Sequence, residues 1–162
     1  MKHRTEARFP ASPEVVLRMF TDRSFHTRKL EAMGLQNRYE VLDYAFDGND
    51  FRIRIQRRVP VQAPGVVKKV VSAESTVVNE ERWNLKSRTG AVKVEPQGMP
   101  LDMSCVLGLA GTAEGCVVSY DWTIKARIPV VGGALEKFVV ADLQSRSAEE
   151  HEAAMRLLAE YR

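Results

Sequence analysis

Polar and apolar residues alternate along most of this chain with the period of two that a half-buried strand requires. Lys2, Arg4, Glu6 and Arg8 alternate with His3, Thr5, Ala7 and Phe9, which predicts a first strand over Lys2 to Phe9 with its charged side in water. The period then changes. Ser12 before Pro13 reads as a helix cap and a first helical residue, and Val15, Val16, Met19 and Phe20 supply the apolar stripe. Asp22 offers a second cap, so a second short helix is predicted over Asp22 to Met33, with Gly34 placed to end it.

From Asn37 to Asp47 the apolar set Tyr39, Val41, Leu42, Tyr44 and Phe46 changes parity, which predicts a bulged strand. Asp47-Gly48-Asn49-Asp50 is a hairpin turn. The next strand turns Phe51, Ile53, Ile55 and Val59 inward and Arg52, Arg54, Gln56 and Arg58 outward, leaving Arg57 on the apolar side. Pro60 to Gly65 breaks the pattern, and Val66 to Val71 fits either a helical turn or a short strand. Ala73 to Lys86 places Ser75, Val77, Asn79, Glu81, Trp83 and Leu85 inside. A shorter strand over Ala91 to Glu95, a loop over Gln97 to Pro100, and strands over Met103 to Ala110 and Cys116 to Ile128 complete a sheet. Ala134 to Arg162 contains neither Gly nor Pro, so it reads as one terminal helix about 40 Å long. Such a helix needs a broad partner. A curved sheet supplies one, and a sheet gripping a helix leaves a cavity between them.

Length and composition narrow this picture. With 162 residues, 44% hydrophobic and 28% charged, the chain fits one domain over 1–162 with a full core. No apolar run approaches the roughly 20 residues of a membrane-spanning helix, and Met1 to Glu6 lacks the apolar centre of a secretion signal, so the expected location is the cytoplasm. The net charge of +3 is spread among acidic residues, which argues against a nucleic-acid partner. Cys105 and Cys116 fall about 20 Å apart along their hairpin, too far for a disulfide, and are expected to be free thiols.

The order of elements resembles the helix-grip fold of the START-like (SRPBCC, polyketide cyclase-like) superfamily, which also includes the pollen-allergen family. Ala11-Ser12-Pro13-Glu14-Val15-Val16 resembles the approach to its first helix, and Ile128-Pro129-Val130-Val131-Gly132-Gly133 the approach to its last. Within the superfamily the chain is similar to an uncharacterised bacterial branch. The resemblance implies an α+β fold: a curved antiparallel sheet of about seven strands, two short helices after the first strand, and a long C-terminal helix. It also implies a cavity for a hydrophobic or lipid-like small molecule, while fold alone does not fix function.

The expected ligand-binding residues are the inward strand positions and the near half of the terminal helix. They are Phe51, Ile53, Ile55, Arg57, Val77 and Asn79, then Glu81, Trp83, Met103, Leu107 and Tyr120, then Trp122, Leu135, Phe138, Val139 and Asp142. Arg57, Asn79 and Glu81 stand out because buried polar groups are costly unless paired or solvated. They would orient a ligand, be moved to solvent by bulges, form a structural pair of Arg57 with Glu81, or, as any one of them or Tyr120, polarise a carbonyl in a cyclase- or dehydratase-type enzyme. The Arg52 to Arg58 face offers a third reading, a protein-interaction module of the chaperone-activator type. His3, His26 and His151 follow no metal-ligand spacing and read as structural or surface residues. No catalytic set, metal or cofactor is predicted, and no oligomeric state follows.

Overall fold

A computed structural model describes residues 1–162. Strand β1 (Lys2–Phe9) leads into helices α1 (Pro13–Phe20) and α2 (Arg23–Ala32). Six strands follow: β2 (Tyr39–Phe46), β3 (Asp50–Pro60), β4 (Glu74–Asn84), β5 (Thr89–Pro96), β6 (Leu101–Thr112) and β7 (Gly115–Ala126). Helix α3 (Gly132–Leu158) closes the chain, with a 3₁₀ turn over Ala159–Tyr161. All seven strands form one antiparallel sheet in the order β1-β7-β6-β5-β4-β3-β2.

Local chemistry sets the boundaries. The Ser12 hydroxyl accepts from Val15 N at 3.4 Å and the Asp22 carboxylate from Ser24 N at 3.1 Å, so both expected caps are in place. Gly34 ends α2 at φ 83°. The pairing of β2 with β3 slips between Val41 and Asp43, which puts the expected bulge at Leu42. Asp47 Oδ1 accepts from the amides of Asn49 and Asp50 and holds the hairpin turn. Val66 to Val71 resolves into a 3₁₀ turn over Gly65–Lys69. Helix α3 starts at Gly132, two residues before the expected Ala134, because its cap is the backbone of Val131 and the glycines are tolerated in a first turn that packs on Ala126.

Helix α3 is fastened at its two ends. Near its start Leu135 is wholly buried and Ala126 N donates to Glu136 Oε1 at 3.4 Å. Near its finish Ala153, Ala154 and Leu158 are buried. Beyond them the Tyr161 hydroxyl donates to Asp22 Oδ2 at 2.8 Å, and Arg28 holds Glu160 with two bonds of 3.0 and 2.6 Å. One end of the sheet is plugged by aromatic rings: Phe9 and Trp83 each pack on Phe20, with centroids 5.8 and 5.7 Å away. The loops joining β3 to β4, β5 to β6 and β7 to α3 lie at the opposite end. Cys105 sits opposite Trp122 and Cys116 opposite Gly111, and both thiols are free and buried.

Candidate ligand cavity

Between the concave face of the sheet and α3 lies a cavity of about 450 Å³. Its size falls in the range of small-molecule pockets, about 300–1,000 Å³. Of the expected residues, Arg57, Val77, Asn79, Glu81, Met103 and Tyr120 line it, as do Trp122, Phe138, Val139 and Asp142. The cross-strand register explains the grouping. Glu81, Val92, Cys105 and Trp122 form one row across β4 to β7, and Asn79, Val94 and Met103 form the next. Arg57 faces Val77, one row further on.

Phe51, Ile53, Ile55, Trp83, Leu107 and Leu135 are not at the wall. Phe51, Trp83 and Leu107 share a row through Gly90 that α1 and α2 cover, with His26 stacked on Phe51 at 5.4 Å and Phe20 on Trp83. The Trp83 ring lies so close over Gly90 that a Cβ there would sit 3.1 Å from it. Ile53 and Ile55 stand on β3 beside Glu81 and Asn79 and do not reach the cavity, although Arg57 further along the same strand does. Leu135 is spent on anchoring the first turn of α3. The wall instead runs along the middle of the helix, through Leu143, Arg146, Ser147, Glu150, His151 and Ala154. The expectation that only the near half of α3 borders the cavity is therefore corrected: the anchor set and the wall interleave on one helix.

The polar groups in the cavity divide into paired and unpaired. Lys29 Nζ lies 3.9 Å from Glu150, and Arg146 Nε donates to Asp142 Oδ2 at 2.8 Å. Glu81 Oε2 accepts from Trp83 Nε1 at 3.1 Å rather than pairing with Arg57. Four buried wall atoms have no partner: Arg57 Nε, Ser75 Oγ, Asn79 Oδ1 and Trp122 Nε1. Buried polar atoms are normally satisfied, and these four exceptions are grouped around one cavity. Burial lowers the pKa of the Arg57 guanidinium, and the nearby Glu150 carboxylate works against that drop. Burial raises the Tyr120 phenol well above its ordinary range, and the charge of Glu81 adds to the rise.

The outer Arg52 to Arg58 stripe is mixed in sign. Arg52 Nε donates to Asp43 Oδ2 at 2.6 Å, and Arg54 lies 4.0 Å from Glu95. No helix of the chain is long and apolar enough to cross a membrane.

Residues 4–158 match the model of a family described as "Protein of unknown function (DUF2505)". The chain belongs to that family. No curated protein matches it. Among solved structures, Ara h 8.0201 is similar with a TM-score of 0.67 and 11% identity, over 99% of this chain and 98% of that one. The Zhui aromatase/cyclase from Streptomyces sp. R1128 is similar with a TM-score of 0.58 and 12% identity, over 99% and 92%. A norcoclaurine synthase point mutant from Thalictrum flavum, in complex with a transition-state analogue, follows with a TM-score of 0.55 and 17% identity, over 99% and 94%. At these identities the likeness establishes the fold, and this DUF2505 chain has the helix-grip fold of the START-like superfamily.

Sequence reasoning missed several wall residues of this DUF2505 chain, chiefly Ser75, Lys29, Arg146, Glu150 and His151. Ser75 was visible as a polar inward position beside Arg57. The helical residues carried no comparable signal, because strand parity says which side faces in while helix rotation over a cavity is set by tertiary packing.

Proposed function

We propose that the protein binds one amphipathic small molecule between the sheet and α3. The apolar body would lie against Val92, Val94, Met103, Phe138 and Val139, with the polar part meeting the unsatisfied groups. The observation that carries this reading is the set of four unpartnered buried atoms on the wall of a 450 Å³ cavity. A dry core of that composition would lose the hydrogen-bond energy of each orphan, about 1–3 kcal/mol apiece, with nothing in return.

Fluorescence titration with the uncharged probe N-phenyl-1-naphthylamine tests the reading. Saturable one-to-one binding is expected. Val139→Phe, which pushes a ring into the cavity, should weaken it about ten-fold, a change worth about 1.4 kcal/mol. Absence of saturable binding by the wild-type protein would sink the proposal. Native mass spectrometry of protein purified from its own host then identifies the resident molecule.

A second reading, an enzyme that polarises a carbonyl of its ligand, is favoured by the buried phenol of Tyr120 on the cavity wall, with Glu81 also lining the cavity. Burial keeps the phenol protonated at neutral pH, so it can donate to an oxygen as negative charge develops there. Under this reading Tyr120→Phe abolishes turnover of the molecule recovered from the host and leaves its binding within a few-fold.

A further inference from the structure

One cation on the cavity wall, Arg57, has no counter-ion. Three cations line the cavity, Lys29, Arg57 and Arg146, together with four carboxylates, Glu6, Glu81, Asp142 and Glu150. Three of the carboxylates are already engaged with other cations, Asp142 with Arg146 at 2.8 Å, Glu150 with Lys29 at 3.9 Å, and Glu6 with Arg4 and Arg8 at 3.6 Å each. Arg57 is left over. Its Nε is buried without a partner, and it takes part in none of the ion pairs of the protein. The other carboxylate on the wall facing in from β4, Glu81, lies four residues beyond the Arg57 partner Val77, roughly 13 Å along the strand. Ser75, two residues to the other side of Val77, places an unpartnered hydroxyl near Arg57.

A guanidinium cannot shed its proton at ordinary pH, so its burial cost must be met by an anion or by water. Arg57 carries one positive charge with no carboxylate of its own, which a monoanion cancels and a phosphate dianion would overshoot. A planar guanidinium also matches the two oxygens of a carboxylate. We infer, on the basis of the ligand-binding reading above, that the ligand is a carboxylate-headed amphiphile whose headgroup is bound inside the cavity by Arg57 with Ser75 as a second donor. The apolar tail runs from there along Val94 and Met103 towards Trp122. Glu81 and the Asn79 carbonyl oxygen stand on the tail's path and disfavour a second anionic group, so a monocarboxylate is preferred to a dicarboxylate.

The test is competition against bound N-phenyl-1-naphthylamine at pH 8 by dodecanoic acid, dodecan-1-ol and dodecylamine, which share one tail. Wild-type protein is expected to prefer the acid over the alcohol by about ten-fold, and the alcohol over the amine. In Arg57→Gln the gap between acid and alcohol, each referred to that variant's own affinity for the uncharged probe, closes. Arg57→Lys restores part of the gap, since it returns the charge without the fork. Equal displacement by acid and alcohol in the wild type, or a gap that persists in Arg57→Gln, overturns the headgroup assignment and leaves the cavity standing. Failure of the probe itself to bind the wild type instead overturns the ligand-binding reading. If Arg57→Gln does not fold, the wild-type order and the Arg57→Lys gap decide the matter, and an unchanged gap in Arg57→Lys counts against the bidentate fork.

Discussion

Among single residues, His26 makes the most exacting demand on the fold. Its ring is buried and stacked on Phe51, and its Nε2 lies 2.6 Å from the Phe20 carbonyl, which can only accept, so the proton sits on Nε2. Burial pushes its pKa below 6.5; the charge of Glu81 opposes that shift, and the charge of Lys29 adds to it. The unfolded chain therefore takes up a proton at higher pH than the folded one. Stability is full above about pH 6.5 and falls as the pH drops towards the lower folded value, by up to about 1.4 kcal/mol per pH unit. Urea unfolding between pH 7.5 and 5 is expected to show this slope. His26→Gln, which keeps a donor for the Phe20 carbonyl but does not titrate, should flatten it. At this scale the sequence was readable wherever parity applies: Arg57, Asn79 and Glu81 declared themselves as polar breaks in inward-facing strand sets. His26 did not, because nothing in a short helix with mixed polarity says which face another layer will cover.

At the scale of elements, the junction between β7 and α3 carries visible strain. Val130 has φ 70° and is fully exposed, an uncommon conformation for a β-branched residue with no packing to compensate for it. Val130→Gly should raise stability by about 1 kcal/mol, the relief of strain exceeding the added flexibility of the unfolded chain, and thermal unfolding measures it. At the other end of α3, Leu158→Ala should cost about 2–5 kcal/mol, because its side chain is buried beneath the last turn. The strands, caps and hairpins were legible because each depends on neighbours in sequence. The start of α3 and the turn at Gly65–Lys69 were less so, since both are decided by what they pack against: Gly132 on Ala126, and Val67 buried under the core.

The whole molecule is a sheet and a helix joined at two ends with a gap between them, an arrangement that leaves stability to be gained by filling. A ligand at a hundred times its dissociation constant adds about 2.7 kcal/mol, which for a chain of this size is roughly 5–10 °C in melting temperature. Differential scanning fluorimetry with dodecanoic acid should show that rise in the wild type and a smaller one in Arg57→Gln. The helix-grip architecture followed from element order alone, whereas the extent of the cavity did not: its boundary depends on how α1 and α2 plug one end of the sheet.

That asymmetry between the ends has a consequence for time rather than for energy. Interlocked rings close one end, while the loops that carry Val61, Met99 and the strained Val130 lie at the other. Rings packed into a core part only when much of the protein unfolds, but loops part on their own, in nanoseconds to microseconds. A guest would leave by the loop end, and its residence time would be tuned by a change at Val130, off the cavity wall, that barely touches how tightly it is held.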